Sequence, residues 1–355
     1  MQDSIVPFAP FDGEAFAAAH AALQSRKAQP IVITAHKSPD GDALGAALGL
    51  YHDLKAGGWS QLAVVLPDGF PAFFDWMPAV QEVVLWEKQP EKAAAKVAEA
   101  AMIFCLDYNG LDRLGPEMAA AVGEAEGDLV MIDHHLNPSG FAKWNFSDPL
   151  CGSSAELVYR WIVASNRADE MSQDVAACLY TGVMTDTGSF RFASVTAATH
   201  EMVAALLQTG IRHADIHAAV YDSNRLDRLQ LVGYALSNKL EVYPEYGCAM
   251  ITLTLAELNR FHARSGDTES LVNQALSVEG VNCAVFVREA KEGRVKLSLR
   301  SRGNFSVRDV AEAHFRGGGH RNASGGALDG VTAGEVADLW RSLMPKYGPQ
   351  ILAAC

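Results

Sequence analysis

Six side chains of this sequence belong to the types that hold hard or borderline divalent cations, and they fall in four short clusters. His36, Asp40 and Asp42 form an H-x-x-x-D-x-D pattern with Pro39 and Gly41 between them. Two carboxylates two residues apart, with an imidazole four before, can converge on one cation; the same residues would also make a solvated Asp-Gly turn in which Asp42 caps a helix. Asp107, followed by Tyr108 and Asn109, is either a ligand or the cap of the next turn. Asp133, His134 and His135 follow the apolar Val130, Met131 and Ile132. Two adjacent imidazoles rarely serve packing alone, so one or both should be ligands. Asp186 closes an apolar helical stretch before Thr187, Gly188, Ser189 and Phe190, where the plain alternative is a C-terminal turn with Gly188 in the left-handed conformation. A carboxylate at the negative end of a helix dipole is unfavourable, and a bound cation would remove the conflict.

His36, Asp40, Asp42, Asp107, His134 and Asp186 together supply two imidazoles and four carboxylates. That set suits two Mn²⁺ ions, or Mg²⁺ or Co²⁺, better than a thiolate zinc site. Two such ions about 3.5 to 4 Å apart stabilise the attacking and leaving oxygens of a displacement at phosphorus, so hydrolysis of a phosphoester is the reaction to expect.

The elements that must position these clusters can be read from the hydrophobic pattern. Three short apolar runs, Ile31 to Ala35, Ala101 to Leu106 and Leu129 to Ile132, each end at one of the polar clusters. Separated by helical sequence, they predict buried parallel strands of an α/β unit, which binds ligands beyond the carboxyl ends of its strands. Helices are predicted at Ala43 to Lys55 and Glu91 to Ala100, then at Ala155 to Ala164, Asp174 to Met184, Thr199 to Leu207 and Leu226 to Lys239. Beyond them, strands at Cys248 to Leu253, Val281 to Val287 and Val295 to Leu299, with helices at Thr268 to Leu276 and Gly334 to Leu343, predict a smaller α+β domain. The expected layout is an α/β catalytic domain with a mainly parallel sheet over 1–210, a helical linker over 211–240 and an α+β domain over 241–355.

Composition narrows the function. The 355 residues are 49% hydrophobic and 20% charged, the profile of a folded chain of about two domains. Lys and Arg number 29 against 42 Asp and Glu, a net charge of −13, so a long nucleic-acid duplex would be repelled and a polyanionic substrate must be met locally. No apolar run has the length of a membrane span, and Met1, Gln2, Asp3 and Ser4 lack the basic start of a secretory leader, so a cytoplasmic location is expected. The six cysteines, Cys105, Cys151, Cys178, Cys248, Cys283 and Cys355, are scattered without a C-x-x-C pair, and neither disulfides nor thiolate zinc sites are expected.

These four clusters, in this order, resemble the DHH phosphoesterase superfamily, whose name-giving triplet stands here as Asp133, His134 and His135. Downstream, Arg316, Gly317, Gly318, Gly319, His320, Arg321, Asn322, Ala323, Ser324 and Gly325 resemble the glycine-rich motif of the DHH-associated C-terminal domain, and Leu299, Arg300, Ser301, Arg302 and Gly303 resemble its arginine turn. Length and domain pairing are most similar to the nanoRNases, which degrade very short oligoribonucleotides and dephosphorylate 3′-phosphoadenosine 5′-phosphate. The resemblance implies that His36, Asp40 and Asp107 hold one metal while Asp42, Asp107, His134 and Asp186 hold the other, with Asp107 as the bridge. It also implies that His135 binds or polarises the phosphate, that Asp133 orients its neighbours, and that Arg300, Ser301, Arg302, the backbone of Gly317 to Gly319 and His320 bind substrate.

The chain departs from the family's commonest pattern at Arg316, Ser324, Tyr108 and Asn109, and none of these removes a ligand. The expected partner is short single-stranded RNA or a nucleotide, with no membrane and no long duplex; a homodimer is left open. Four alternatives remain: a RecJ-like single-strand exonuclease, a cyclic-dinucleotide phosphodiesterase, a manganese pyrophosphatase sharing the N-terminal motifs, and a non-catalytic nucleotide sensor. Against the exonuclease stands the absence of a basic stripe, and against the pyrophosphatase the glycine-rich motif ending in His320.

Overall fold

The computed structural model describes residues 11, 13–264, 266–290 and 293–354; Met1 to Ser4 and Cys355 lie outside them. The chain divides into two compact units, Met1–Ser223 and Asn224–Cys355. The division falls within the 211–240 stretch expected as a linker, whose helices belong to one unit or the other.

The first unit runs α1 (Gly13–Gln24), β1 (Ile31–Ala35), α2 (Gly41–Ala56), β2 (Leu62–Leu66), β3 (Val84–Leu85), α3 (Pro90–Glu99), β4 (Met102–Leu106), α4 (Pro116–Gly123), β5 (Asp128–Asp133), β6 (Trp144–Ser147), α5 (Ser154–Ala164), α6 (Gln173–Asp186), α7 (Ala197–Gln208) and α8 (His213–Tyr221). Its six strands form a sheet in the order β3-β2-β1-β4-β5-β6, parallel throughout. Every residue of β1 and β4 is buried, which is why both read as unbroken apolar runs rather than alternating ones. The sequence reading did not include β2, β3 and β6, of which β3 has only two residues and β6 is mixed, nor α1, α4 and α8, whose alanine-rich or mixed sequences show no distinct apolar stripe.

Helices α2 and α6 cross with their backbones in contact. A Cβ added at Gly45 would stand 2.5 Å from the carbonyl oxygen of Cys178 and 2.7 Å from the amide nitrogen of Gly182; one at Gly182 would stand 2.5 Å from the Ala155 Cβ and 3.0 Å from Asp42 Oδ1. Gly41, Gly45 and Gly49 recur every fourth residue of α2 and present a smooth face to α6. The consequence is positional: the first turn of α2, with Asp42, lies against the last turns of α6, which end at Asp186.

The second unit runs α9 (Leu226–Tyr234), a π-helical turn (Ala235–Lys239), β7 (Leu240–Tyr243), β8 (Cys248–Leu253), α10 (Leu255–Arg260), α11 (Leu271–Leu276), β9 (Cys283–Glu289), β10 (Arg294–Ser301), α12 (Val307–His314), β11 (Gly318–His320), β12 (Ala323–Asp329) and α13 (Ala333–Leu352). Its mixed sheet has the order β11-β12-β10-β9-β8-β7, with β8 and β9 parallel and the other pairs antiparallel. Helix α13 continues well past the predicted end at Leu343, through Pro345 and Pro349. Among the described residues, no helix is long and apolar enough to cross a membrane, and the five cysteines are buried thiols.

Gly45→Ala tests the helix contact. In an exposed helix this change stabilises by about 1 kcal/mol. Here the methyl group meets the Cys178 carbonyl, and we expect a net loss of about 1–3 kcal/mol, read as a lower urea midpoint. A midpoint equal to or above that of the parent would show that α2 and α6 can separate freely.

Candidate metal centre

The chain leaves β1 toward β2 on one side of the sheet and leaves β4 toward β5 on the other, and β1 and β4 are neighbours. Connections diverge on either side of this pair, and a crevice opens at its carboxyl end. His36 is the first residue after β1 and Asp107 the first after β4, so both stand at its mouth. Asp107 adopts φ of 62°, a left-handed conformation uncommon for a residue other than glycine.

Each candidate histidine is held by the chain on one side and faces carboxylates on the other. His36 Nδ1 lies 2.9 Å from the Lys37 carbonyl, which can only accept, so Nδ1 carries the proton. Its Nε2 is 3.3 Å from Asp107 Oδ2 and 3.8 Å from Asp40 Oδ1. His134 Nδ1 lies 3.2 Å from the Cys151 carbonyl, and its Nε2 is 3.4 Å from Asp186 Oδ2, 3.5 Å from Asp107 Oδ1 and 3.7 Å from Asp42 Oδ2. A backbone carbonyl that fixes the tautomer and aims the opposite nitrogen inward is the usual support of a metal-ligating imidazole. Among the groups whose ligand atoms lie within 4.8 Å of one another are His36, Asp40 and Asp107, and Asp42, His134 and Asp186; a further one joins Asp107, Asp133 and His135. Asp107 turns one oxygen toward each of the first two.

The carboxylates are fixed by different means. Asp40, not Asp42, is the N-cap of α2: its Oδ1 accepts from the amides of Asp42 (3.0 Å) and Ala43 (3.1 Å). The Asp42 carboxylate instead reaches the N-terminus of α5, where it accepts from the amides of Ser154 (2.6 Å) and Ala155 (2.9 Å). Ser154 Oγ also donates to Asp107 Oδ1 at 2.9 Å. The sequence reading missed Ser154. Its signal was the S-x-x-E spacing of Ser153 and Glu156 that announces the start of α5, and Ser153 Oγ does accept from the Glu156 amide. Asp133 is fully buried; its Oδ1 is 2.7 Å from His135 Nδ1 and its Oδ2 accepts from the His135 amide, which sets the ring of His135. Asp186 ends α6 and is followed by three residues at positive φ, Gly188 (58°), Ser189 (64°) and Phe190 (64°).

This density of charge moves the protons. Burial pushes the Asp42 carboxyl well above the ordinary range, and the charges of Asp107, Asp186 and Asp40 push it further. Asp186 is raised to about 6, by burial first and then by Asp40 and Asp107, against the opposing pull of His134. Burial would raise Asp107 too, but its contacts with His36, His135 and His134 bring it well below the usual carboxylate range. Burial alone would lower His36; the hydrogen bond with Asp107 and the charges of Asp40 and Asp107 instead raise it to about 9. In the absence of a cation the centre therefore holds protons where a cation would otherwise sit.

In the second unit the expected substrate groups divide. Arg300 on β10 lies in register with Ala323 on β12, and Ala323 with His320 on β11, so Arg300 and His320 share a face of the sheet across a small alanine. One Arg300 nitrogen donates to the Leu299 carbonyl at 3.0 Å, and Arg302 donates to the Leu276 carbonyl at 2.9 Å. Two expectations need correction. Ser301 is buried, its Oγ donating to the Phe305 carbonyl and accepting from Asn322 Nδ2, so it ties the arginine turn to the glycine motif instead of facing a ligand. The other concerns the expected backbone contacts of Gly317 to Gly319: the Gly317 amide donates to the Ala311 carbonyl and is not free for an anion, while Gly318 and Gly319 lie in the edge strand β11. A Cβ at Gly317 would collide with the Gly325 carbonyl, so close backbone approach accounts for that glycine.

Comparison with known proteins places this geometry. Residues 30–183 match the DHH family N-terminal domain and residues 249–342 match the DHHA1 domain. A bifunctional oligoribonuclease and PAP phosphatase, NrnA of Thermus thermophilus, is 32% identical over 311 residues, which are 85% of this chain and 85% of that protein. A crystallised Bacteroides fragilis protein described as exopolyphosphatase-related is 38% identical with a TM-score of 0.90, covering 96% of this chain and 98% of that one. RecJ of Thermus thermophilus, crystallised with Mn²⁺, shares the fold at a TM-score of 0.53 and 14% identity, over 99% of this chain and 56% of RecJ.

The displaced protons give a prediction. His36, raised to about 9, and Asp186, raised to about 6, must each lose a proton before binding a cation, so binding should release protons at pH 7 and tighten as pH rises from about 6 to about 9. Titration calorimetry in buffers of different ionisation enthalpy measures this directly. Proton uptake, or an affinity that falls with rising pH, would contradict the arrangement.

Proposed function

The chain belongs to the DHH family, and from that premise we propose that it is a manganese-dependent phosphoesterase that hydrolyses short oligoribonucleotides and the 3′-phosphate of 3′-phosphoadenosine 5′-phosphate. The observation that carries the reading is Asp107, whose two oxygens face two separate ligand clusters. The residues fit a pair of divalent cations because two imidazoles and four carboxylates converge with tautomers already set by backbone carbonyls. Such cations, when bound, supply charge to polarise a phosphoryl oxygen and lower the pKa of water.

The chain's own groups do the rest. His36, Asp40 and Asp107 would hold one cation, and Asp42, Asp107, His134 and Asp186 the other. Ser154 fixes the Asp107 oxygen it donates to, and Asp133 holds His135 so that this imidazole can hydrogen-bond to the phosphate undergoing attack. In the second unit Arg300 and His320 bind substrate through charge-assisted hydrogen bonds. The reaction is assigned to 1–210 and substrate binding to 241–355. With a net charge of −13 and few cations in the arginine turn and glycine motif, only a few phosphates can be neutralised, which favours short substrates over a tracked strand.

A substrate panel tests the reading. With Mn²⁺, kcat/KM should be highest for RNA of about two to five residues and for 3′-phosphoadenosine 5′-phosphate, with little salt dependence. Chelation should abolish turnover and Mn²⁺ restore it. Efficiency that climbs with length into tens of nucleotides, or activity that survives exhaustive removal of metal, would overturn it.

A second measurement separates the units. Arg300→Ala and His320→Ala should raise KM by about tenfold or more while leaving bound metal unchanged. Loss of metal from either variant would remove the substrate-binding role.

A further inference from the structure

Two cations beside the candidate metal centre have side chains that make no hydrogen bond or ion pair among the described residues. Lys37 directly follows the ligand His36, and Arg113 lies in the 3-10 turn Leu111–Leu114 that follows β4. The Lys37 amide donates to the Arg113 carbonyl at 2.8 Å, so both side chains leave the backbone at one place on the rim of the β1–β4 crevice. The lysine stem is laid over the same turn: its Cδ and Nζ pass 3.6 and 3.9 Å from where a Cβ on Gly115 would stand. Gly115, at φ of 78°, closes the turn and leaves room for that stem. Both side chains are exposed. Neither makes a hydrogen bond or ion pair with another described residue, in a chain where acids outnumber Lys and Arg by 42 to 29 and Arg26, Arg160, Arg167 and Arg225 all have carboxylate partners. The nearby Asp68 carboxylate is engaged by the Ser38 amide at 2.6 Å, and Asp40 caps α2. Arg113 nonetheless stands close enough to His36 for its charge to oppose protonation of the ring.

We propose that Lys37 and Arg113 form an anion subsite that engages a phosphate of the substrate other than the one being cleaved. The charge balance supports this. Two divalent cations would match the four charges of Asp40, Asp42, Asp107 and Asp186, with the Asp133 carboxylate set against His135, and Lys37 and Arg113 add positive charge at the rim. A guanidinium and an ammonium side by side suit a phosphate dianion or diester, the guanidinium through paired N–H groups and the ammonium as a point charge. The inference rests on the phosphoesterase reading and adds a source of selectivity within the first unit. The additional phosphate is either the terminal phosphate of a bisphosphorylated nucleotide or the next internucleotide phosphate of an RNA.

The test uses the full-length, Mn²⁺-loaded protein with Lys37→Gln, Arg113→Gln and the double variant, each checked for metal content and melting temperature. Each of two substrate pairs has one member with an additional phosphate: 3′-phosphoadenosine 5′-phosphate against adenosine 3′-phosphate, and a trinucleotide against a dinucleotide, which also adds a nucleoside. The parent should prefer the member with the additional phosphate in at least one pair. The double variant should reduce that preference by about tenfold or more while leaving kcat/KM for the other member unchanged. Loss confined to the first pair assigns the subsite to a terminal phosphate, and loss confined to the second assigns it to an internucleotide phosphate. An unchanged preference, or equal losses on both members, would overturn the proposal. A binding arm is independent of turnover: chelated parent protein should bind adenosine 3′,5′-bisphosphate about tenfold more tightly than the chelated double variant. If the parent hydrolyses nothing in the panel, the phosphoesterase reading fails, and equal binding by parent and variant then overturns the subsite separately.

Discussion

The structure turns on the burial of carboxylates beside one another. Asp42, Asp107 and Asp133 have at most 2% of their surface exposed, and Asp186 comes within 3.4 Å of the His134 imidazole that Asp107 and Asp42 also approach. An ionised group removed from water costs several kcal/mol unless charge and hydrogen bonds replace the lost hydration. The surrounding elements supply that replacement unevenly. Asp42 receives two amides from the start of α5, Asp40 receives two from the start of α2, and Asp107 receives a serine hydroxyl and the imidazoles. Asp186, at the C-terminal end of α6, faces the wrong end of a helix dipole. Taken without a cation, the cluster is short of positive charge, and its raised carboxyl groups are the measure of the shortage.

That need explains features of the fold otherwise without a reason. Asp42 and Asp186 belong to different helices and can share a cluster only if those helices touch. Gly45 and Gly182 let the backbones of α2 and α6 meet, and Gly182 also leaves space for the Asp42 carboxylate itself. A leucine pair at this crossing would bury more apolar surface and would separate the ligands by the width of two side chains. The same economy of space governs the second unit, where the glycine motif lets β11 and the preceding residue lie against β12, placing His320 in register with Ala323 and Arg300.

The sequence was legible where a signal was local. Ile31 to Ala35 is reproduced as β1, and each ligand sits within a few residues of a strand end or helix end that hydrophobic pattern could locate. The four clusters, in order, were enough to place the chain in its family. What pattern could not supply was tertiary. Ser154 lies 47 residues from Asp107, and the S-x-x-E spacing beside it announces the start of a helix but not which carboxylate its hydroxyl reaches. Glycine carries little intrinsic preference for a strand, so β11 and β12 were not legible in the motif; at Gly317, Gly319 and Gly326 the backbones approach too closely for a side chain. Ser301 shows the reverse error: a residue inside a recognised motif was taken for a contact, when its buried hydroxyl holds the motif together.

Among the clustered acids, Asp107 has a distinct electrostatic position. Burial, with the charge of neighbouring carboxylates, leaves Asp42 and Asp186 retaining protons more readily, Asp186 against the pull of His134, whereas His36, His135 and His134 all act on Asp107 and keep it ionised. The residue with one oxygen toward each cluster is thus the one whose charge is most firmly held. Its left-handed backbone, its place at the diverging end of β1 and β4, and the Ser154 hydroxyl all constrain the same carboxylate. A carboxylate that served both clusters, as proposed above, would have to satisfy two geometries at once, and any looseness in it would be felt at both; the constraints concentrated at Asp107 suit that role.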